Sequence, residues 1–398
     1  MNFLRRFFRR PQQLWIRRFN FQVHLWAGII LAVYLIVIGV TGSILVFRAE
    51  LETLSGTKPW HKIRSKEPFA AVGTVVGNLT TAYPRSHIIS VTAPSEEDPT
   101  FVAVLQKREQ IKVACDASSG AVLGEFPEGA AWITFVLELH ERLLIRPNGR
   151  MLNAIGGAFL LLLSLTGLVV WWPGVRNWKR ALLVDLRRGW RRINFDLHSA
   201  SGFWTLLIAS FWGISGIYFA WPAESVRLID RFSPVINARP PVIRVTPEAG
   251  FDQLDLDRMV ERARVVDPGT RWKALAFPFS RRAPLEVTML RGGGTGREYE
   301  DIVYFNPYTG QYLATWKYGD NKSLGDWLVW SQVPLHFGTS WGLSIKIIWA
   351  AAGMVIPLLT VTGLLMNWNR VLRRKWKHLR KGAAAEIAVA TPAAGLRS

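Results

Sequence analysis

The chain has 398 residues, 49% hydrophobic and 12% aromatic, with 19 Trp and a formal net charge of +20. Apolarity and charge on this scale must be segregated along the chain, which excludes an evenly mixed soluble basic protein. The basic residues flank apolar segments, where anionic lipid headgroups suffice as partners, so no nucleic-acid partner is expected.

Residues 1–21 are basic, with Arg5, Arg6, Arg9, Arg10, Arg17 and Arg18 and no acid. Trp26 to Phe47 then contains no Asp, Glu, Lys or Arg, as is also true of Met151 to Trp172, Ser199 to Trp221 and Ile347 to Trp368. About 20 such residues cross a bilayer as a helix, the form that satisfies every backbone group internally. The first span, predicted over 22–47, is too long for a signal peptide and reads as a signal anchor. Residues 48–139 follow as a first small α+β domain, in which Thr74 to Tyr83 has helical spacing and "KVACDASSGAVLGEF" reads as a β-hairpin. Residues 140–172 hold a short segment and the second span, and 173–197 a basic loop with Arg176, Lys179, Arg180, Arg187, Arg188, Arg191 and Arg192. The third span covers 198–221 and a second α+β domain 222–335, with helical spacing over Asp255 to Val266 and a hairpin in "IVYFNPYTGQYLATW". Its "RGGGTGRE" lacks the spacing of a phosphate-binding loop and reads as a flexible hairpin tip. The fourth span is placed at 336–368, and 369–398 is a basic tail with Arg370, Arg373, Arg374, Lys375, Lys377, Arg380 and Lys381, ending in an Ala-rich, disordered stretch. Lys and Arg beside the spans put both termini and the middle loop in the cytoplasm and the two α+β domains on the opposite face.

The chain repeats itself. "NFQVHLWAGIILAVYLIVIGVTGSI" from Asn20 overlies "NFDLHSASGFWTLLIASFWGISGIY" from Asn194 without a gap. "LHERLLIRPNGRMLNAIGGAFLLLLSLTGLVVWW" likewise overlies "LHFGTSWGLSIKIIWAAAGMVIPLLTVTGLLMNW". A unit of helix, exported domain and helix is used twice.

Four histidines, His24, His140, His198 and His336, occupy equivalent places in this repeat. A lone one would read as an interfacial cap, but recurrence near a membrane points to function. Two imidazoles make a poor closed zinc site, which wants four donors, yet they complete a haem whose porphyrin supplies the other four nitrogens. With Cys115 the sole cysteine, neither an intramolecular disulfide, a thiolate cluster nor c-type haem attachment can form. Gly42, Gly216, Gly167 and Gly363 each follow a Thr or Ser at the depth of a histidine pair, where small residues either let helices pack closely or leave room for a flat macrocycle. His24 with His198 would hold the inner haem and His140 with His336 a shallower outer one. Glu138, Glu141, Arg142, Arg146, Trp330 and Trp341 neighbour the outer pair, as a substrate site or as rim charge and an aromatic belt. His61, His87 and His378 lack repeat partners and read as surface residues.

"LHERLLIRPNGRMLNAIGGAFLLLLSLTGLVVWWPG", "NFDLHSASGFW" and "PLHFGTSWGL" with "LLTVTGLLMNWNR" resemble the PepSY-associated transmembrane helix family, and "CDASSGAVLG" and "FNPYTGQYLA" resemble the PepSY hairpin. The resemblance implies an integral membrane, α-helical bundle of four transmembrane helices from a tandem duplication, with two small α+β, PepSY-like periplasmic domains. It implies a bacterial inner-membrane protein with haem b, two groups each on two histidines, acting as a ferric-siderophore reductase. By motif, His24, His198, His140 and His336 carry over as the haem-iron ligands. The expected activity is transmembrane electron transfer from a cytoplasmic or membrane donor to an Fe(III)-siderophore in the periplasm, with no catalytic side chain beyond the haem. The alternative is a PepSY-domain membrane-anchored sensor or peptidase-modulating protein without redox activity.

Overall fold

The computed structural model describes residues 11–56, 69–95, 98–127, 129–247, 255–292, 298–338 and 341–372. The Gly-rich tip at 293–297, the tail beyond 372, His61 and His378 lie outside the described residues, and His87 is exposed. The chain divides into a helical unit (1–46, 137–222 and 346–398) and a sheet unit (47–136 and 223–345).

In the helical unit, α1 (Trp15–Ile30) and α2 (Ala32–Leu45) replace the single straight span predicted over 22–47, meeting at Leu31 with a bend of 69°. The other long helices are α6 (Gly149–Trp171), α8 (Trp190–Ala220) and α12 (Gly342–Asn367); α3 (Arg48–Leu54), α4 (Val72–Ala82), α5 (Ala131–Arg142) and the short α7 (Trp178–Ala181) precede or separate them in the chain. Among the described residues, three helices are thus long and apolar enough to cross a membrane, or four if the bent pair counts as one span. Because α8 begins at Trp190, His198 lies inside a helix and not at its threshold. The charge-free criterion missed those first turns, in which Arg192 pairs with the buried Asp196 at 2.9 Å.

Glycine sets the closest helix contacts. A Cβ at Gly39 would lie 2.9 Å from the Gly353 carbonyl oxygen, and one at Gly213 would lie 2.7 Å from that of Gly157. These pairs, α2 on α12 and α6 on α8, occupy equivalent places in the sequence repeat. Backbones that approach so closely gain dispersion energy that any side chain would forfeit, the usual basis of helix association in lipid.

The sheet unit departs from the expectation of two separate small domains. Strands β1 (His87–Thr92), β2 (Phe101–Gln106), β3 (Gln110–Cys115) and β4 (Val122–Phe126) join β5 (Thr270–Ala276), β6 (Leu285–Gly292), β7 (Glu298–Phe305) and β8 (Tyr312–Lys317) in one antiparallel sheet of order β4-β3-β2-β1-β5-β6-β7-β8. Each half alone would leave its first strand as an unpaired edge; pairing Val91 of β1 with Leu275 of β5 satisfies both edges at once. One core follows, with Val91, Phe101, Leu105, Val113, Leu275, Leu285, Val287 and Phe305 buried beneath α4 and α10 (Leu256–Val266). Both predicted hairpins form with the same turn chemistry. Asp116 and Asn306 each accept a side-chain bond from the backbone N–H two residues on, and Gly120 and Gly310 take the left-handed conformation that glycine tolerates. Cys115 is buried in β3, which pushes its thiol up to about 11 and leaves it inert.

The halves are also stapled by one side chain. Asp257, in α10, accepts from the N–H of Val72 at 2.7 Å and of Gly73 at 3.1 Å, capping α4, whose own preceding residue Ala71 cannot. Asp257→Ala is expected to cost about 1 kcal/mol and to speed hydrogen exchange in α4 relative to β2, as for loss of any N-cap. The helix α9 (Pro222–Asp230) and α11 (Leu324–Phe337) complete the unit.

Candidate functional site

Three of the four candidate histidines sit against a Thr-Gly pair of another helix. His24 Nδ1, on α1, lies 3.1 Å from the Leu163 carbonyl oxygen and 3.2 Å from Thr166 Oγ1 on α6. His198 Nδ1, on α8, lies 3.0 Å from both the Leu359 carbonyl oxygen and Thr362 Oγ1 on α12. His140 Nδ1, on α5, lies 2.9 Å from Thr41 Oγ1 on α2. A carbonyl oxygen can only accept, so Nδ1 carries the hydrogen at His24 and His198 and Nε2 keeps its lone pair.

The glycine of each pair is where the ring fits. A Cβ at Gly167 would lie 3.1 Å from His24 Cε1, at Gly363 3.2 Å from His198 Cε1, and at Gly42 3.0 Å from His140 Cε1. The room these three glycines leave is taken by imidazole. At Gly216 the added atom would meet Gly157 Cα at 4.0 Å, so among the described residues this position faces a neighbouring helix backbone instead. The same small-residue motif therefore seats a histidine ring at three places and a helix backbone at the fourth.

His24 and His198 approach each other, with ring centroids 6.2 Å apart and ring planes at 89°. Two imidazole nitrogens bonded to one metal at about 2 Å each, with about 1 Å from nitrogen to ring centre, give a centroid spacing of about 6 Å. The centroid spacing matches that of two imidazoles on one metal, for which a porphyrin would supply the remaining four nitrogens. Both rings are bonded at Nδ1 to the partner helix, the arrangement in which a ligand imidazole is oriented by its outer shell.

His140 is carried by Leu137 to Arg142 and joined to α6 by a tight turn in which Leu143 and Leu144 both have positive φ, 52° and 58°. A Cβ at Gly149 would fall 1.9 Å from the Arg142 carbonyl oxygen, so only glycine closes this turn. Asn153 secures it, donating to the His140 carbonyl at 2.7 Å while accepting from Tyr34 at 2.8 Å. Glu138 pairs with Arg142 and Arg146, and Glu141 with Arg150, so the charges of these residues are matched in ion pairs. His336 ends α11 in the sheet unit, its ring 5.4 Å from that of Phe337. In that unit Trp330 packs on Tyr318, with centroids 6.3 Å apart, and Trp341 is exposed.

The model of the PepSY-associated TM region matches residues 21–370. The chain belongs to this family. It is also 27% identical over 264 residues to the uncharacterized protein PA4219 of Pseudomonas aeruginosa, a match covering 60% of this chain and 64% of that one. Within this PepSY-associated protein, the residues that sequence reasoning missed are the acceptors Leu163 and Leu359 and the clamp of Tyr34 and Asn153. The threonines were visible as the partners of conspicuous glycines, but nothing in a linear pattern gives the rotational phase that turns their hydroxyls to histidine.

Proposed function

We propose that this PepSY-associated protein is an inner-membrane electron-transfer protein that holds haem b and reduces Fe(III)-siderophores in the periplasm, releasing Fe(II) for uptake. The observation that carries the reading is the His24 and His198 pair, at the spacing of two imidazoles on one iron, each ring already oriented at Nδ1. Bound haem would supply reversible one-electron transfer. His24 and His198 would offer Nε2 to its iron, and the repeat makes His140 and His336 the candidates for a second group. The apolar faces of α1, α6, α8 and α12 would exclude water from the inner site. The basic flanks support termini and middle loop in the cytoplasm and the sheet unit in the periplasm. Hard oxygen donors of a siderophore suit Fe(III) and hold the softer Fe(II) less well, so one electron loosens the chelate without a general acid or nucleophile. The electron donor would be a cytoplasmic or membrane reductant.

The test is anaerobic. Protein reduced in lipid and freed of reductant is mixed with a ferric hydroxamate and a chromogenic Fe(II) chelator. The expected result is Fe(II) appearing in step with reoxidation of the visible bands. Haem-loaded protein that reduces no ferric chelate would sink the reductase reading, and a protein that takes up no haem would sink the electron-transfer reading with it.

A further inference from the structure

Thr41, Thr166 and Thr362 are each nearly inaccessible, at 5%, 5% and 4% exposure. A threonine hydroxyl has one proton and two lone pairs. Here the proton is committed within the helix: Thr166 donates to the Leu162 carbonyl, Thr362 to that of Leu358 and Thr41 to that of Val37, each at 2.7 Å. The oxygen that faces each histidine can then only accept. The carbonyl beside it, three residues before the threonine, also belongs to the helix ladder and already accepts an N–H there. At His24 and His198 one imidazole N–H is thus held between two acceptors on one side of the ring, and at His140 it meets the threonine oxygen, with the glycine clearing the Cε1 edge on another side in all three.

We propose that Thr41, Thr166 and Thr362, each with the glycine that follows it, form an imidazole seat reused along the chain, which holds histidine with hydrogen on Nδ1 and presents Nε2 as a bare lone pair. The threonines are positioning residues, acting through His140, His24 and His198. Without the hydroxyl, the carbonyl alone holds the N–H less firmly, so the ring can swing and exchange part of its hydrogen to Nε2, and an Nε2–H form cannot bind a metal through Nε2. The stronger the bond from Nδ1–H, the more basic Nε2 becomes, so the seat also sets how strongly the ring donates to iron. The redox part of this inference rests on the haem reading; the tautomer part does not.

Thr→Val keeps the shape and removes the acceptor, and Thr→Ser restores it. The full chain, made without haem in lipid and with isotope-labelled histidine, is expected to show His24, His140 and His198 as Nδ1–H forms by NMR. T166V and T362V should each add an Nε2–H population at their own histidine, which the Ser variants remove. After haem loading, the Val variants should retain haem about 10-fold or more less tightly, as for other outer-shell losses, with a raised midpoint potential that Ser returns to the wild-type value. Val variants with unchanged tautomer, haem retention and potential would overturn the seat while leaving the haem reading intact. A chain that binds no haem yet shows threonine-dependent tautomers would support the seat and overturn the haem reading.

Discussion

His198→Ala is expected to remove one haem's low-spin bands from the reduced-minus-oxidised spectrum, and His24→Ala to remove the same bands. The two rings lie 6.2 Å apart, so if one haem is held between them, as proposed, loss of either would remove one of its two protein ligands. The loss in affinity should exceed the 10- to 100-fold typical of mere outer-shell changes, roughly, because a bond to the metal itself is gone. Added imidazole should enter the space left by the ring and restore the low-spin spectrum. His87→Ala, on an exposed strand position, should leave the spectrum unchanged. If both His24→Ala and His198→Ala retain the full spectrum, the paired histidines hold no haem.

Asp326→Ala is expected to be the most damaging substitution in the sheet unit. The carboxylate is 0% exposed, and Oδ1 accepts from the N–H of Ile236, Asn237 and Ala238 at 2.7, 2.8 and 2.9 Å while Oδ2 accepts from Lys322 at 2.9 Å. Alanine would strand these donors, at a cost of about 3–5 kcal/mol, the range for breaking a buried charged network. Thermal unfolding should show the loss, and hydrogen exchange should place it at residues 236–238 and the start of α11, which carries His336. Burial alone would raise the Asp326 pKa, but the four backbone donors outweigh it and hold the carboxyl below the usual range. Because the folded value lies below the unfolded one, this stabilisation is complete above the unfolded range near pH 4, roughly, and is lost as pH falls through the folded value. Asp326→Ala should therefore flatten the acid limb of the stability profile; an unchanged limb would show that the carboxylate contributes nothing there.

Much of this protein is legible in one dimension because lipid imposes a crude rule. A charge-free run of sufficient length has few options in a bilayer, so the spans stand out by composition alone. The hairpins at Asp116 and Asn306 are equally local, since turn chemistry is written in adjacent residues. The histidines emerge from the register of the repeat, which needs no structure. The rule fails where its assumptions do. Residues Trp190 to Leu197 are helical but charged, and the bend at Leu31 follows no Pro or Gly at that position.

By itself, then, the sequence determined the apolar spans, the hairpin turns and the four equivalent histidines, all consequences of composition or of neighbours within a few residues. Only the tertiary structure decided that β1 and β5 merge two half-sheets, because edge pairing joins residues far apart in the chain and leaves no local mark. It alone distinguished glycines of different kinds, Gly157 and Gly213 against helix backbone and Gly42, Gly167 and Gly363 against imidazole. The distinction depends on which way each helix is rotated about its axis. That rotation is set by packing among several helices at once, and no single segment of the chain specifies it.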